Sequence, residues 1–476
     1  MQLRTFLLAT LSAGALAACA AGPGGAPALK PAPVTAGPFV ADTGAAVSPT
    51  PLPADWWRLY RDPVLDRLVG DAIAANTDIR VAAARIERAR AALRGARADR
   101  LPTAGLSASG GYARQPEDSV PPGADRDGAL LSGGVNLSYE VDLFGRVRKG
   151  IAASRADLAA AQADADAVRV MVVADTTQAY ADAASAAARI AVGQGIVDLL
   201  DQRLRLTRRR HEAGLEDGLA VARIEGLRQQ RAAAIPAIEA ERSAALYALA
   251  TLTGRAPAAL PAVSGARSVA LEITAPLPVG EGSELLARRP DVRAAEQRLA
   301  GDAARVGVAT ADLYPRITLG GSLTSTASSL GGLFSAGPLG LLLGPLINWA
   351  FPNQEPARAR IDAANADARA SLAAFDGTVL TALQEAETAL SAYARAIERR
   401  RDLTAAVTAA QTAARITRAQ NREGVINSLD TLEAERTLAE AEAALADQDA
   451  LVSRSQIAVF RALGGGWDAG ARVALK

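Results

Sequence analysis

Side chains able to do covalent or metal chemistry are scarce in this chain of 476 residues: there is one cysteine, Cys19, and one histidine, His211. A serine or cysteine nucleophile needs a base beside it, and a zinc or copper site needs His, Cys or carboxylates clustered at short spacing. A single imidazole excludes a histidine-based metal cluster. No phosphate-cradling glycine loop or metal-ligand spacing is present, and the two methionines, Met1 and Met171, provide no soft-metal path. The carboxylates are scattered over helix-forming sequence, where solvation explains them. The residue inventory therefore disfavours an enzyme, and no metal or catalytic residue is assigned.

Cys19 has a different chemistry. Arg4 precedes an apolar run from Phe6 to Ala18, too short to span a bilayer as a helix, which reads as a signal peptide over residues 1–18. The run ends Leu16-Ala17-Ala18-Cys19, resembling the bacterial lipobox, in which the thiol takes a diacylglyceryl group and the new N-terminus an acyl chain. Ala20, where Asp would retain the protein at the inner membrane, fits sorting to the outer membrane. The alternative is an ordinary signal peptide and an incidental thiol. With Cys19 acylated no disulfide can form, so stability must come from packing or assembly. Fifty-two basic against fifty-one acidic residues give a formal charge of +1, which offers no field for nucleic acid. No second apolar run of about 18 residues follows, so a body that crosses a membrane must do so with strands.

The elements that would carry such a body are written twice. Asp78-Ile79-Arg80-Val81-Ala82 returns as Asp291-Val292-Arg293-Ala294-Ala295, and Pro102 as Pro315, both 213 positions on; Gly214 returns as Gly424 and Gly254 as Gly464, 210 positions on. A tandem duplication follows. After a Pro/Gly/Ala-rich tether (residues 19–54, beginning at the lipidated cysteine), the expected units are 55–265 and 266–466, with a tail at 467–476. Each copy reads helix, two strands, two long helices. Val135 to Leu143 alternates apolar and polar residues without a fault. Nine residues at about 3.3 Å match a hydrocarbon thickness of roughly 30 Å, although a half-buried strand of a soluble sandwich would look the same locally. Weaker alternation marks Ala104–Tyr112 and Ile317–Thr324, a fourth strand is expected around Leu341–Phe351, and Gln115–Gly128 and Ala327–Pro338 read as exposed loops. Four strands cannot close in lipid, where an open edge leaves N–H and C=O groups without partners, so several copies must share one barrel.

Residues 148–212 contain no proline and predict a helix of roughly 98 Å; Gly193 and Gly195 mark a bend or the close approach of a neighbour. In its counterpart, 356–422, Phe375, Val379, Ala382, Ala386, Ala389, Tyr393 and Ala396 form a coiled-coil seam flanked by a second stripe, Leu383, Leu390 and Ile397. Two stripes mean two neighbours. Gly214 and Gly424 end these helices in positions that favour a left-handed residue, and return helices over 217–253 and 427–463 complete two hairpins. Pro236 is expected to kink or interrupt the first return helix.

These residues resemble the outer membrane factor family, the TolC-like channels of tripartite pumps, and in particular its lipoprotein branch. The resemblance covers about residues 55–465 and rests on Trp56-Trp57 to Asp62-Pro63, Tyr139-Glu140-Val141-Asp142-Leu143-Phe144-Gly145, Arg288-Arg289-Pro290-Asp291-Val292-Arg293-Ala294-Ala295-Glu296 continuing to Tyr314-Pro315, and Glu423-Gly424 with Leu429-Asp430. It implies a mainly α fold with membrane β: a homotrimer with a twelve-stranded barrel, a twelve-helix periplasmic tunnel, and passive export for an inner-membrane RND-type pump through a periplasmic adaptor. It implies that the adaptor meets the hairpin tips, Gly214-Leu215 and Gly424-Val425. It also implies a periplasmic constriction lined by Asp430 and Glu433, which three residues apart share a helical face; Ala220 stands at the first-repeat equivalent of Asp430. Arg208–Arg210 and Arg399–Arg401 are either adaptor contacts or solvated faces. A periplasmic adaptor, often also a helical-hairpin lipoprotein, is the competing reading, but it predicts one hairpin between soluble β modules rather than two preceded by amphipathic strands.

Overall fold

A computed structural model describes residues 39–467, apart from 42, 115, 117, 119, 124, 283–285, 287, 336–338 and 427. Cys19, the signal peptide, residues 19–38 of the tether and 468–476 of the tail lie outside the described residues. The chain forms α1 (Pro63–Ala75), α2 (Thr77–Ala98), β1 (Thr103–Arg114), β2 (Asp127–Glu140), α3 (Arg146–Glu212) and α4 (Gly218–Leu252). The order then repeats as α5 (Pro290–Ala311), β3 (Arg316–Ala327), β4 (Leu339–Asn348), α6 (Glu355–Arg422) and α7 (Ser428–Ala462). Contacts divide the described residues into two compact units, 86–161 with 294–376, and 39–85 with 162–293 and 377–467.

The first unit holds one antiparallel sheet in the order β1-β2-β3-β4, although 175 residues separate β2 from β3 in sequence. Register is unbroken in all three pairings: Thr103↔Ser138 to Arg114↔Asp127, Leu131↔Ala327 to Glu140↔Thr318, and Arg316↔Asn348 to Ser325↔Leu339. A small helical cluster of Leu93, Val147 and Ile151 belongs to the same unit.

The second unit is helical and contains the main core. Trp56 is fully buried, stacks on Phe460 with ring centroids 4.6 Å apart, and meets Trp57 and Tyr60 edge-on. Asp62 and Pro63 open α1 as cap and first helical residue: the Asp62 carboxylate accepts from the Val64 and Leu65 amides at 2.8 and 3.2 Å, and from Tyr180 and Arg267 at 3.0 Å each. In the single chain the α6 seam residues Val379, Ala382, Ala386, Tyr393 and Ala396 are buried, with Ala389, Leu383 and Ile397 half-buried beside them. Arg289 is buried too, because its guanidinium clasps Asp291 (3.0 and 2.6 Å), reaches Glu385 (2.8 Å) and donates to the Ala462 carbonyl (2.9 Å). Burial alone would raise the Asp291 carboxyl, but hydrogen bonds and charge from Arg289 outweigh it and hold the group below its ordinary value.

Four expectations change. The described end of the tether is docked: the amides of Val40 and Ala41 donate to Glu387 at 2.8 Å each, Val47–Ser48 pair in parallel with Leu277–Pro278, and Leu52 is buried. Strand β2 ends at Glu140 rather than Leu143, because Asp142 turns to cap α3 through the amides of Val147 and Arg148. Helix α4 runs through Pro236 without interruption, while Gly193 meets its expectation of a close neighbour, with Ile235 of α4 packed against α3 there. Finally, α3 contains a window long and apolar enough to cross a bilayer, yet its Val173, Ala174, Tyr180 and Ala181 are buried in the helical core.

Candidate functional site

Paired residues in an antiparallel sheet put their side chains on one face. The rows Leu106-Val135-Leu323-Leu341, Ala104-Leu137-Gly321-Leu343 and Tyr139-Leu319-Pro345 therefore lie together, and that face is apolar from edge to edge. Opposite it run Thr103-Ser138-Gly320-Gly344, Gly105-Asn136-Ser322-Leu342 and Ser107-Gly134-Thr324-Gly340, small and polar except for Leu342. Among the described residues only the 330–333 turn meets this face, at its Ser325 end, and the rest lies open: Leu106 and Leu341 are 84% and 78% exposed. In water this patch would drive aggregation; facing hydrocarbon it is favourable. Strands β1 and β4 each pair on one side only, so both sheet edges carry unpaired backbone groups.

Where β2 leaves the sheet, the Tyr139–Gly145 segment makes a turn that sequence comparison alone marked only as a motif. Glu140 accepts both prongs of Arg146 at 2.7 and 2.6 Å, Phe144 stacks on Tyr314 at 4.6 Å, and Gly145 takes a positive φ of 82°. Its hydrogen bonds to Glu140, helped by the negative charges of Glu140, Asp312 and Asp99, outweigh burial and push the Arg146 guanidinium above its ordinary value. Across the same cavity of about 260 Å³, Trp349 donates to the Leu313 carbonyl at 3.1 Å and stacks on Phe351.

The hairpin tips fold as expected. Gly214 and Gly424 have φ of 73° and 74°, and each closes its helix with the same pair of bonds: Gly214 N–H to His211 O and Leu215 N–H to Arg210 O, Gly424 N–H to Asn421 O and Val425 N–H to Gln420 O. Leu215 and Val425 are exposed at the apices. His211 takes part in the first tip through a 2.9 Å contact with the Glu216 carbonyl.

Asp430 lies exposed in the first turn of α7, where a carboxylate also complements the helix dipole. Glu433, exposed one turn on, pairs with Arg436 at 2.6 Å. The residue that sequence reasoning missed is Glu435, whose side chain is 2% exposed and receives Arg203 from α3 at 2.7 Å and Arg418 from α6 at 3.0 Å. The repeat held the signal: Arg418 and Glu435 are the 210-residue echoes of Arg208 and Glu225, which pair at 3.1 Å in the first hairpin. Arg231 of α4 adds a 2.9 Å bond to Glu440 of α7, so the two hairpins are tied side by side. Of the basic runs, Arg208, Arg210, Arg400 and Arg401 all pair within the chain, with Glu225, Glu216, Glu272 and Asp402. Among the described residues no group of His, Cys, Asp and Glu could hold a metal ion.

A sheet apolar on one face and polar on the other, joined to two long helical hairpins and duplicated in sequence, defines a channel-forming protein of the bacterial outer membrane. The sequence model described as "Outer membrane efflux protein" matches residues 68–255 and again 282–465, one match for each copy. The chain belongs to the outer membrane efflux protein family. It is 33% identical over 419 residues to outer membrane protein OprJ of Pseudomonas aeruginosa, covering 87% of each chain. Its structure is similar to that of the outer-membrane channel OprN (TM-score 0.85, 34% identity, 94% of this chain and 100% of that one). It is likewise similar to outer membrane protein VceC of Vibrio cholerae (TM-score 0.81, 26% identity, 88% and 100%). Its place is the outer membrane and its function is efflux.

Proposed function

We propose that three copies of this chain close one twelve-stranded barrel, continued by twelve helices into a periplasmic tunnel through which substrates leave passively. The observation that carries this reading is the pair of unpaired edges, β1 and β4, on a sheet whose apolar face is largely exposed among the described residues. In lipid each unpaired backbone group costs several kcal/mol, and joining β4 of one copy to β1 of the next removes both edges together. No covalent step is needed and none is assigned; energy comes from an inner-membrane RND-type pump, and a periplasmic adaptor engages the tips at Gly214-Leu215 and Gly424-Val425. Cys19 carries the acyl and diacylglyceryl anchor into outer-membrane lipid.

Asp430 and Glu433, repeated threefold, form acidic rings that attract cations and repel one another. Closure therefore has to be held by other contacts, and Glu435 with Arg203 and Arg418 is placed to hold α7 against α3 and α6. Protein purified in detergent should have three times the mass of the processed chain, each copy being the 48.8 kDa full sequence less its signal peptide, and form channels in planar bilayers. A lone, non-conducting subunit would overturn the assembly. With Asp430→Ala, divalent-cation block should weaken; unchanged block would remove Asp430 from the constriction.

A further inference from the structure

The β3–β4 connection does not behave as a water-facing loop. From Ile317 to Gln354, a span that takes in β3, β4 and their connection, the sequence contains no charged residue, whereas Glu117, Asp118, Asp125, Arg126 and Asp127 fall close together between β1 and the start of β2. Instead of polar groups, residues 330–334 read Leu-Gly-Gly-Leu-Phe and form a single helical turn, Leu330–Leu333, that packs back against β3 and β2.

Its placement follows from one hydroxyl. Register puts Ser325 on the apolar face, between Gly133 and Leu339, where it is the only polar side chain that β3 carries on that side. Ser325 is nevertheless buried, because its Oγ donates to the Leu333 carbonyl at 2.7 Å, and the backbone of Gly332 lies so close to Ala327 that a Cβ there would come within 3.0 Å of the Ala327 methyl. The turn thus lies on the outer, apolar surface of the sheet and not over its polar side. Its polar groups are largely answered from within: Leu333 N–H bonds the Ser329 carbonyl, Ser329 Oγ accepts from Gly332 N–H, and both the amide and the hydroxyl of Ser335 donate to the Gly332 carbonyl. Backbone that meets hydrocarbon has to be satisfied in this way. On this base, Leu330 and Phe334 project 71% and 89% exposed.

We infer that residues 328–335 are a membrane-embedded collar of the barrel, with Leu330 and Phe334 seated among lipid acyl chains at the β3–β4 rim. The inference rests on the reading of the apolar face as lipid-facing, with which this surface is continuous. It extends the apolar band by one helical turn past the last paired rung of β3 and β4, Ser325↔Leu339, and does so only on this hairpin, leaving the acidic β1–β2 loop to water.

Single cysteines at 330 and 334, with Leu323→Cys and Ser322→Cys as references for the two sheet faces, can be nitroxide-labelled in the full chain and reconstituted into phosphatidylcholine vesicles. The parent chain taken through the same labelling supplies the background from Cys19. Electron paramagnetic resonance then compares collisions with oxygen, which partitions into lipid, and with a water-soluble nickel chelate. The oxygen-to-nickel ratio at 330 and 334 should match that at 323 and exceed that at 322 several-fold. A water-like ratio at 330 and 334, with 323 still lipid-like, would overturn the collar alone. Low collision with both reagents and an immobilised spectrum would place the collar against protein, and would overturn it too. A water-like ratio at 323 would remove the face assignment and the collar with it.

Discussion

Arginine placed on successive residues of β2 should separate the two faces of the sheet. Val135 pairs with Leu106 and Leu323 on the apolar side, while Asn136, its neighbour, pairs with Gly105 and Ser322 on the polar side. Strand β2 has 14 residues, about 46 Å at ~3.3 Å each, which a tilt of roughly 40° reduces to about 35 Å along the membrane normal. Val135 is five residues from the Glu140 end, about 16 Å along the strand or about 13 Å along the normal at that tilt, and so falls near the middle of a hydrocarbon layer roughly 30 Å thick. A lipid-facing arginine at that depth costs about 2–4 kcal/mol, and a lumen-facing one close to zero. Because every copy in a closed barrel carries the change, assembly of three chains bears on the order of three times that penalty. Val135→Arg should therefore abolish the heat-sensitive oligomer band on gels and lower its recovery from vesicles, whereas Asn136→Arg should assemble like the parent and alter conductance. If Asn136→Arg failed to assemble while Val135→Arg did so normally, the faces would be reversed and the lipid-facing reading lost.

Further predictions concern the helical unit. Glu435→Gln leaves Arg203 and Arg418 facing each other across a buried neutral amide; since both guanidinium groups keep partial access to solvent, the cost should be about 2 kcal/mol rather than the 3–5 of a fully buried pair, read as a lower melting temperature in detergent. The carboxyl of Asp291 is held below its ordinary value, so its contribution is fully present above a pH of about 4 and is lost as pH falls through the depressed value. The gap in unfolding midpoint between parent and Asp291→Asn should then be constant from about pH 7 to pH 5 and shrink in more acid solution; a gap that widened on acidification would contradict the Arg289 clasp. Gly424→Ala forces a side chain into a φ of 74° at a cost of about 1–2 kcal/mol, and should speed hydrogen exchange at the Val425 amide without moving the global melting transition.

Much of this fold was legible because its elements are long and their signals local. A 67-residue helix free of proline, or a glycine placed where a helix must end in a left-handed residue, is recognisable without knowledge of the packing around it. Strand ends were not legible to the residue. Alternation runs on to Leu143, but Asp142 is taken by the amides of α3, a competition between pleat and cap that periodicity does not register. Nor was the docking of Val40 and Ala41 visible, since a Pro/Gly/Ala-rich segment carries no mark of the distant Glu387 that binds it. Glu435 was overlooked among many carboxylates because burial belongs to three dimensions, although its descent from the Arg208–Glu225 pair was present in the 210-residue repeat.

That repeat also bears on why the two hairpins differ. In the first, Arg208 and Glu225 are about half exposed and pair with each other; in the second, the echo of Glu225 is buried and has gained a second partner, Arg203, from the first copy. A surface ion pair is worth little, whereas a buried carboxylate between two guanidinium groups is costly to separate. Duplication thus supplied two equivalent pairs, and packing of one copy against the other turned the second into a three-helix tie. The acidic residues proposed for the constriction, Asp430 and Glu433, stand on the same helix within five positions of Glu435, and Ala220 replaces the first of them in the other copy. Charge that repels and the charge network that restrains it are thereby concentrated on one hairpin of the two. Arg418→Ala, which loosens that tie without touching either acidic residue, should raise single-channel conductance while leaving its cation preference unchanged; a change in preference with unaltered conductance would assign Arg418 to the lumen instead.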